Sequence, residues 1–176
     1  MNERVVVVNA SKMNYDHLLD FSVLSNDVQV YDDSTNAELI ERIQGAAVVV
    51  TKEIPVGAEL LSQFPESVKL IVEAGTGYNN IDLDAARAKG ITVCNIPAYS
   101  TERVAHTAIM MLLNFASTMQ QQIGMLARGD RSNFTKHLQV PHTEVNGKTL
   151  GIIGAGHIGM AVVKVAKALD MNILIH

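Results

Sequence analysis

The sequence predicts an α/β fold: a parallel sheet covered on both faces, followed by a shorter strand–helix–strand unit. Three features carry that expectation. Short apolar runs alternate with segments of helical period up to about residue 95. A longer helical pattern then breaks the alternation, and the run 147–159 leads an apolar strand through a glycine-rich turn into another helix.

The elements follow in order. Residues 5–8 are four valines, a continuous run as expected of a strand buried on both faces. Leu18, Leu19, Phe21, Val23 and Leu24 supply a helix after it, and 28–31 form the next strand. Asp33-Ser34-Thr35 can cap a helix carrying Ala37, Leu39, Ile40 and Ile43, before a third strand at 47–50. Residues 51–55 are a loop; Leu60, Leu61 and Phe64 form a short helix; and 68–73 are the fourth strand. A helix over 83–89, capped by Asp82 and stopped by Gly90, precedes a fifth strand at 91–95. After Ile96-Pro97-Ala98-Tyr99, Ser100 or Thr101 caps a helical pattern that reaches about Arg128, long enough to cross between two domains. Residues 129–146 are polar and without period, and a loop of that length is usually functional or an arm toward a partner. A strand at 149–153 follows. The spacing of Ile158, Val162, Val165, Ala166 and Leu169 predicts a helix, and 172–175 read as the returning strand, with Asp170 in the turn before it.

Composition narrows the partners. Of 176 residues, 48% are hydrophobic and 18% charged, enough apolar material for a sizeable core. A net charge of −4 and an absence of basic runs give no electrostatic reason to expect nucleic acid or an anionic membrane surface. The segment Met1-Asn2-Glu3-Arg4 before the valines does not resemble a signal peptide, and the apolar stretch 108–116 is interrupted by Asn114 and too short to span a bilayer. The single cysteine, Cys94, is expected in a buried strand position with a packing role. It fits a reducing compartment, and the protein is expected in the cytoplasm. No metal-ligand cluster is foreseen.

Two loops carry candidate chemistry. In the run 147–159, Gly154 permits a tight turn, Gly156 lets backbone approach a pyrophosphate, and Gly159 lets the helix pack close to the strand. An anion would sit on the helix N-terminus, where N–H groups are free and the dipole is positive; an ordinary glycine-rich turn is the alternative. The second loop, Glu73-Ala74-Gly75-Thr76-Gly77-Tyr78-Asn79-Asn80-Ile81-Asp82, follows a buried strand and so lies at a carboxyl edge, where open α/β sheets bind ligands. Gly75 and Gly77 can expose N–H groups to an anion such as a carboxylate, or serve only the turn.

The loop 74–82, the run 93–105 (Val-Cys-Asn-Ile-Pro-Ala-Tyr-Ser-Thr-Glu-Arg-Val-Ala) and the run 147–159 resemble, in order and spacing, three landmarks of the D-isomer-specific 2-hydroxyacid dehydrogenases. The Ala-Tyr-Ser-Thr form of the second is most similar to the glycerate dehydrogenase (hydroxypyruvate reductase) branch. The resemblance implies a flavodoxin-like parallel-sheet substrate domain at 1–98, and at 99–176 the first βαβ of a Rossmann dinucleotide-binding domain. Between them a cleft would hold NAD or NADP, with NAD favoured, and a small 2-hydroxy or 2-oxo acid. Backbone at Gly75, Thr76 and Gly77 would hold the substrate carboxylate, with Lys52 nearby. Tyr99, Ser100 and Val104 would border the nicotinamide, and Gly154, Gly156, His157, Ile158 and Gly159 the pyrophosphate. His106 stands where many members carry Glu, and a packing or helix-surface role is expected for it.

The family exchanges the proton with a histidine paired to a carboxylate and orients the substrate with an arginine. None of the three has a counterpart here, so no catalytic residue is assigned and the 176-residue chain is expected to be inactive by itself. The ribose-binding acidic residue that separates NAD from NADP would lie at or beyond His176, which points to a truncated dinucleotide half. Other readings are a non-catalytic NAD-sensing scaffold, as in the corepressors that resemble these enzymes, or an inactive truncated product. A homodimer or larger assembly is expected through residues 100–145, and the face of Val162, Val165 and Leu169 is expected to be exposed for want of a covering layer.

Overall fold

A valine run this apolar can only be satisfied at the centre of a sheet, and the computed structural model, which describes residues 3–176, places it there. Strand β1 (Arg4–Val7) has β2 (Asp27–Val30) on one side and β3 (Val48–Thr51) on the other. Beyond β3 come β4 (Leu70–Glu73) and β5 (Thr92–Cys94), giving an all-parallel sheet of order β2-β1-β3-β4-β5. Met1 and Asn2, which open the segment read as unlike a signal peptide, lie outside the described residues.

The two faces of β1 divide the core. Val6 and Val8 pack with Leu39, Ile43, Leu61 and Ile71 on one side, while Val5 and Val7 pack with Ala10 and Val50 on the other. The first layer is supplied by α1 (Asn36–Arg42), α2 (Ala58–Ser62) and α3 (Leu83–Ala88). The helix starts follow local chemistry. Thr35 Oγ1 accepts from the Glu38 amide at 3.3 Å, while the Thr35 amide donates to Glu38 Oε2 at 2.9 Å, a reciprocal capping box. Asp82 accepts from the Ala85 amide at 2.9 Å, and Gly90, at φ +69°, ends the helix that Asp82 began.

The described residues divide into two compact units, one ending at Tyr99 and the other running Ser100–His176. The second contains α4 (Thr101–Ala116), α5 (Met119–Ala127), α6 (Ser132–Thr135), β6 (Thr149–Ile152), α7 (His157–Ala168) and β7 (Asn172–Ile175). Strands β6 and β7 pair in parallel, so β6-α7-β7 is a βαβ unit. No helix among the described residues is long and apolar enough to cross a membrane.

Five expectations are corrected. The helix foreseen around residues 18–24 is a loop and one 3₁₀ turn, Phe21–Leu24: the side chains of Asn14 and Asp20 capture the amides of Leu19 and Ser22, competing with helical hydrogen bonds, and Leu18 and Val23 are exposed. Cys94 is exposed, because β5 is an edge strand. The long helix is two helices broken at Thr118, which sits at φ +49° with its hydroxyl donating to Pro141 O, and the Ser100 side chain makes no cap hydrogen bond. The 129–146 stretch, which carries the short α6, is tied back to that break through Thr143 N to Ala116 O and through buried Asn133, whose Nδ2 donates to Gln122 Oε1 at 3.2 Å. Finally, Val162 is buried, and Val165 and Leu169 are partly buried, in a cluster with Ala105 and Ile109 of α4; the apolar exposure falls instead on Ile153, Leu174 and Ile175.

Hydrogen bonds from the Thr35 amide and hydroxyl, with Arg42 adding attraction, hold the Glu38 carboxyl below its ordinary 4.5. A depressed folded value means that this stabilisation is complete above the ordinary value and is lost as pH falls through the folded one. Thr35→Ala is expected to cost ~1 kcal/mol in urea unfolding at pH 7, with a smaller difference from wild type below pH 4; an equal difference at both pH values contradicts the box.

Candidate functional site

In a parallel sheet all loops at the carboxyl end leave from one edge, and ligands gather where strand order reverses. Here the reversal lies between β1 and β3. Asn9, buried just after β1, bridges that crevice: its Nδ2 donates to Lys52 O at 2.6 Å and its Oδ1 accepts from the Lys52 amide at 2.9 Å. Lys52 is thereby fixed at the end of β3, with its side chain mostly enclosed and its ammonium 3.2 Å from Glu53 Oε1.

The loop after β4 lies next to it. Gly75 is buried, and a Cβ there would meet Lys52 Nζ at 3.0 Å and Glu73 Oε1 at 3.3 Å, so the absence of a side chain is what admits the lysine head. The loop is tied to the segment after β5: Ile96 N donates to Gly75 O at 2.9 Å, Asn95 Nδ2 to Thr76 O at 2.8 Å, and Thr76 Oγ1 to Ile96 O at 3.0 Å. The Gly75 and Thr76 carbonyls are used, yet the amides of Gly75, Thr76 and Gly77 find no acceptor among the described residues. Gly77 is exposed and only an ordinary contact from Asn79 would face a Cβ there, so sterics alone do not require glycine at 77. Three amides without an acceptor among the described residues, with the Lys52 ammonium beside Gly75, offer donors suited to a carboxylate.

Beneath these donors lies Glu73, with no exposed surface. Its Oε1 accepts from the Glu53 amide and its Oε2 from Asn80 Nδ2, both at 3.0 Å, and Asn80 Nδ2 also donates to Ile54 O. The sequence places Glu73 at the junction of the fourth strand and its loop and gives no role to Glu73, Asn9 or Asn80. The signal available was a single acid closing an otherwise apolar strand, Leu70-Ile71-Val72-Glu73.

The second unit holds the glycine turn between β6 and α7. Gly154 sits at φ +87°, and a Cβ on Gly159 would overlap the Gly154 carbonyl oxygen. Gly156 occupies the N-cap position with no side chain to serve the helix start, and the amides of Gly156, His157 and Ile158 have no acceptor among the described residues. A twelve-residue helix with free N–H groups and open space around Gly156 accommodates a phosphate. His157 and Ile158 are exposed on that first turn. In the same unit Ser100 precedes α4, and Val104 lies on its first turn, 43% exposed, beside buried Ala105; Tyr99, the last residue of the first unit, is 63% exposed.

The remaining titratable residues add nothing to either loop. His106 is exposed and reaches Glu102 at 3.8 Å along its own helix, and His17 and His137 sit at positive φ in exposed turns. No cluster of metal-ligating side chains occurs among the described residues.

A family model for the D-isomer specific 2-hydroxyacid dehydrogenase catalytic domain matches residues 5–168. The chain is 39% identical over 150 residues to the D-3-phosphoglycerate dehydrogenase of Methanocaldococcus jannaschii, covering 84% of this chain and 28% of that one. It is 35% identical over 142 residues to the glycerate dehydrogenase of Methylorubrum extorquens, covering 80% and 45%. Among solved structures, the D-lactate dehydrogenase of Aquifex aeolicus, complexed with NAD and lactic acid, matches with a TM-score of 0.81 at 27% identity, over 98% of this chain and 50% of that one. The chain spans half or less of the length of each.

The two glycines separate by what their Cβ would strike. Gly159→Ala drives a methyl into rigid backbone and is expected to cost about 1–3 kcal/mol in thermal unfolding. Gly75→Ala meets side chains rather than backbone, the end of Lys52 at 3.0 Å and Glu73 Oε1 at 3.3 Å, and is expected to cost less than Gly159→Ala; equal losses from the two contradict this distinction.

Proposed function

The chain belongs to the D-isomer specific 2-hydroxyacid dehydrogenase family, and from that premise we propose an oxidoreductase acting on a small D-2-hydroxy or 2-oxo acid of the glycerate/hydroxypyruvate type. The single observation behind this reading is the row of unpaired amides at Gly75, Thr76 and Gly77 beside the Lys52 ammonium. Residues 1–98 then serve as the substrate domain, and 99–176 as the opening half of the dinucleotide domain, with NAD preferred to NADP.

The division of labour follows from the groups present. Amides 75–77 and Lys52 take the substrate carboxylate through charge-assisted hydrogen bonds and fix its orientation. Amides 156–158 and the positive end of α7 take the pyrophosphate; Gly156 leaves room for its close approach, and Gly159 lets the helix lie near enough to present them. Tyr99, Ser100 and Val104 border the nicotinamide. When bound, the nicotinamide supplies or accepts the hydride exchanged at the substrate C2. None of the described residues is given the proton-transfer role, and the 176 residues are expected to bind and orient without turning over. The reduced, unpaired Cys94 fits a cytoplasmic setting.

The assembly is a homodimer through the 100–145 region. Met110, Met111 and Phe115 of α4 are exposed, the last at 82%, and with Thr118 they line a groove of about 410 Å³ that a second copy would cover.

Two measurements test this reading. In the enzyme expressed from its complete gene, Gly77→Val is expected to raise KM for hydroxypyruvate at least tenfold with KM for NADH within twofold, whereas an unchanged hydroxypyruvate KM in a folded variant removes the loop from the substrate site. Light scattering at tens of micromolar is expected to give a dimer that Phe115→Glu dissociates, and a wild-type monomer refutes the interface.

A further inference from the structure

A carboxylate at the end of β4 has no surface in contact with water, so its charge must be answered from within. Two donors answer it, and they come from different loops: the Glu53 amide from the loop after β3, and Asn80 Nδ2 from the loop after β4. Asn80 extends the tie, since the same Nδ2 holds Ile54 O at 2.8 Å. The Glu53 backbone is turned to φ +59°, a left-handed region that non-glycine residues enter only at an energetic cost. In that turn its N–H points at Glu73 Oε1 while its own carboxylate reaches Lys52 Nζ. The space above Gly75 is where these groups converge, within 3.0 Å of the Lys52 ammonium and 3.3 Å of Glu73 Oε1.

We propose that Glu73 is a positioning residue for the substrate carboxylate site: its buried charge holds the Glu53 turn and Asn80 and thereby sets the Lys52 ammonium above Gly75, in register with the free amides of 75–77. This rests on the reading that Lys52 and those amides take the substrate carboxylate. Glu73 is fully buried and acts through Lys52 rather than by contact with the substrate. Its register partner on β3 is Thr51, the residue directly before Lys52, so both ends of the arrangement are anchored on adjacent strands.

The distinguishing property is dependence on Lys52. A residue that merely stabilises the fold would lower the unfolding temperature and weaken ligand binding independently of the lysine, whereas one acting through Lys52 loses its effect once the lysine head is gone. The experiment is a double-mutant cycle on the 176-residue chain, with hydroxypyruvate as the probe and its dissociation constant read by NMR titration. Lys52→Met is expected to weaken binding about tenfold and Glu73→Gln about fivefold. The double variant is expected to bind within twofold of Lys52→Met. A folded Glu73→Gln chain that binds like wild type, or a double variant whose losses multiply, overturns the proposal. A Lys52→Met chain that binds like wild type overturns the lysine's role instead, and the proposal falls with it for a separately visible reason. Should Glu73→Gln not fold, Glu73→Asp keeps the charge but shortens its reach by one methylene; the same weakening and the same non-additivity are expected, and multiplying losses again overturn it.

Discussion

A backbone N–H removed from its partner is costly, and structures rarely leave one unpaired without water or a ligand to answer it. Among the described residues, two glycine-containing rows of such N–H groups stand at the candidate sites, at 75–77 and at 156–158. Each row stands at the carboxyl end of a parallel strand, and each is made possible by glycine. At Gly75 the missing side chain admits the Lys52 head; at Gly159 it lets α7 approach the Gly154 carbonyl. The parallel topology makes both rows possible, because it sends every strand-to-helix turn to one edge and leaves the first amides of each turn without a ladder to join.

The two rows differ in the charge around them, and that difference suits them to different ligands. The 156–158 row has no side-chain cation at its N-cap and depends on the helix end and on close approach, an arrangement suited to a phosphate group. The 75–77 row has an ammonium beside it, and that ammonium is already partnered by Glu53 and seated above a buried acid. A small monocarboxylate can compete for such a lysine without bringing a large excess of negative charge into a site that already holds two carboxylates.

Much of this was legible in the sequence wherever local chemistry and burial agree. The valine run, the Thr35 capping box, the Asp82 cap and the glycine turn each follow from residues within a few positions of one another. The failures arise where side-chain partners, some near and most distant in sequence, override the local pattern. Thr118 breaks the long helix with no glycine or proline to announce it, and its hydroxyl is held by Pro141. The apolar residues 18–24 have helical spacing but little to pack on, and Asn14 and Asp20 claim their amides. Glu73 looks like an ordinary strand end until Glu53 and Asn80 are seen to close on it. The burial of Val162 against α4 likewise depends on a helix some fifty residues away.

The central claim is that the two amide rows are separate anion sites with different occupants. Amide-resolved 15N–1H spectra of the 176-residue chain test it most directly. Hydroxypyruvate is expected to shift the resonances of Gly75, Thr76 and Gly77 and leave those of Gly156, His157 and Ile158 in place, and NADH is expected to do the reverse for the pyrophosphate row. Titrations in which neither row responds, or in which both ligands move the same amides, contradict it.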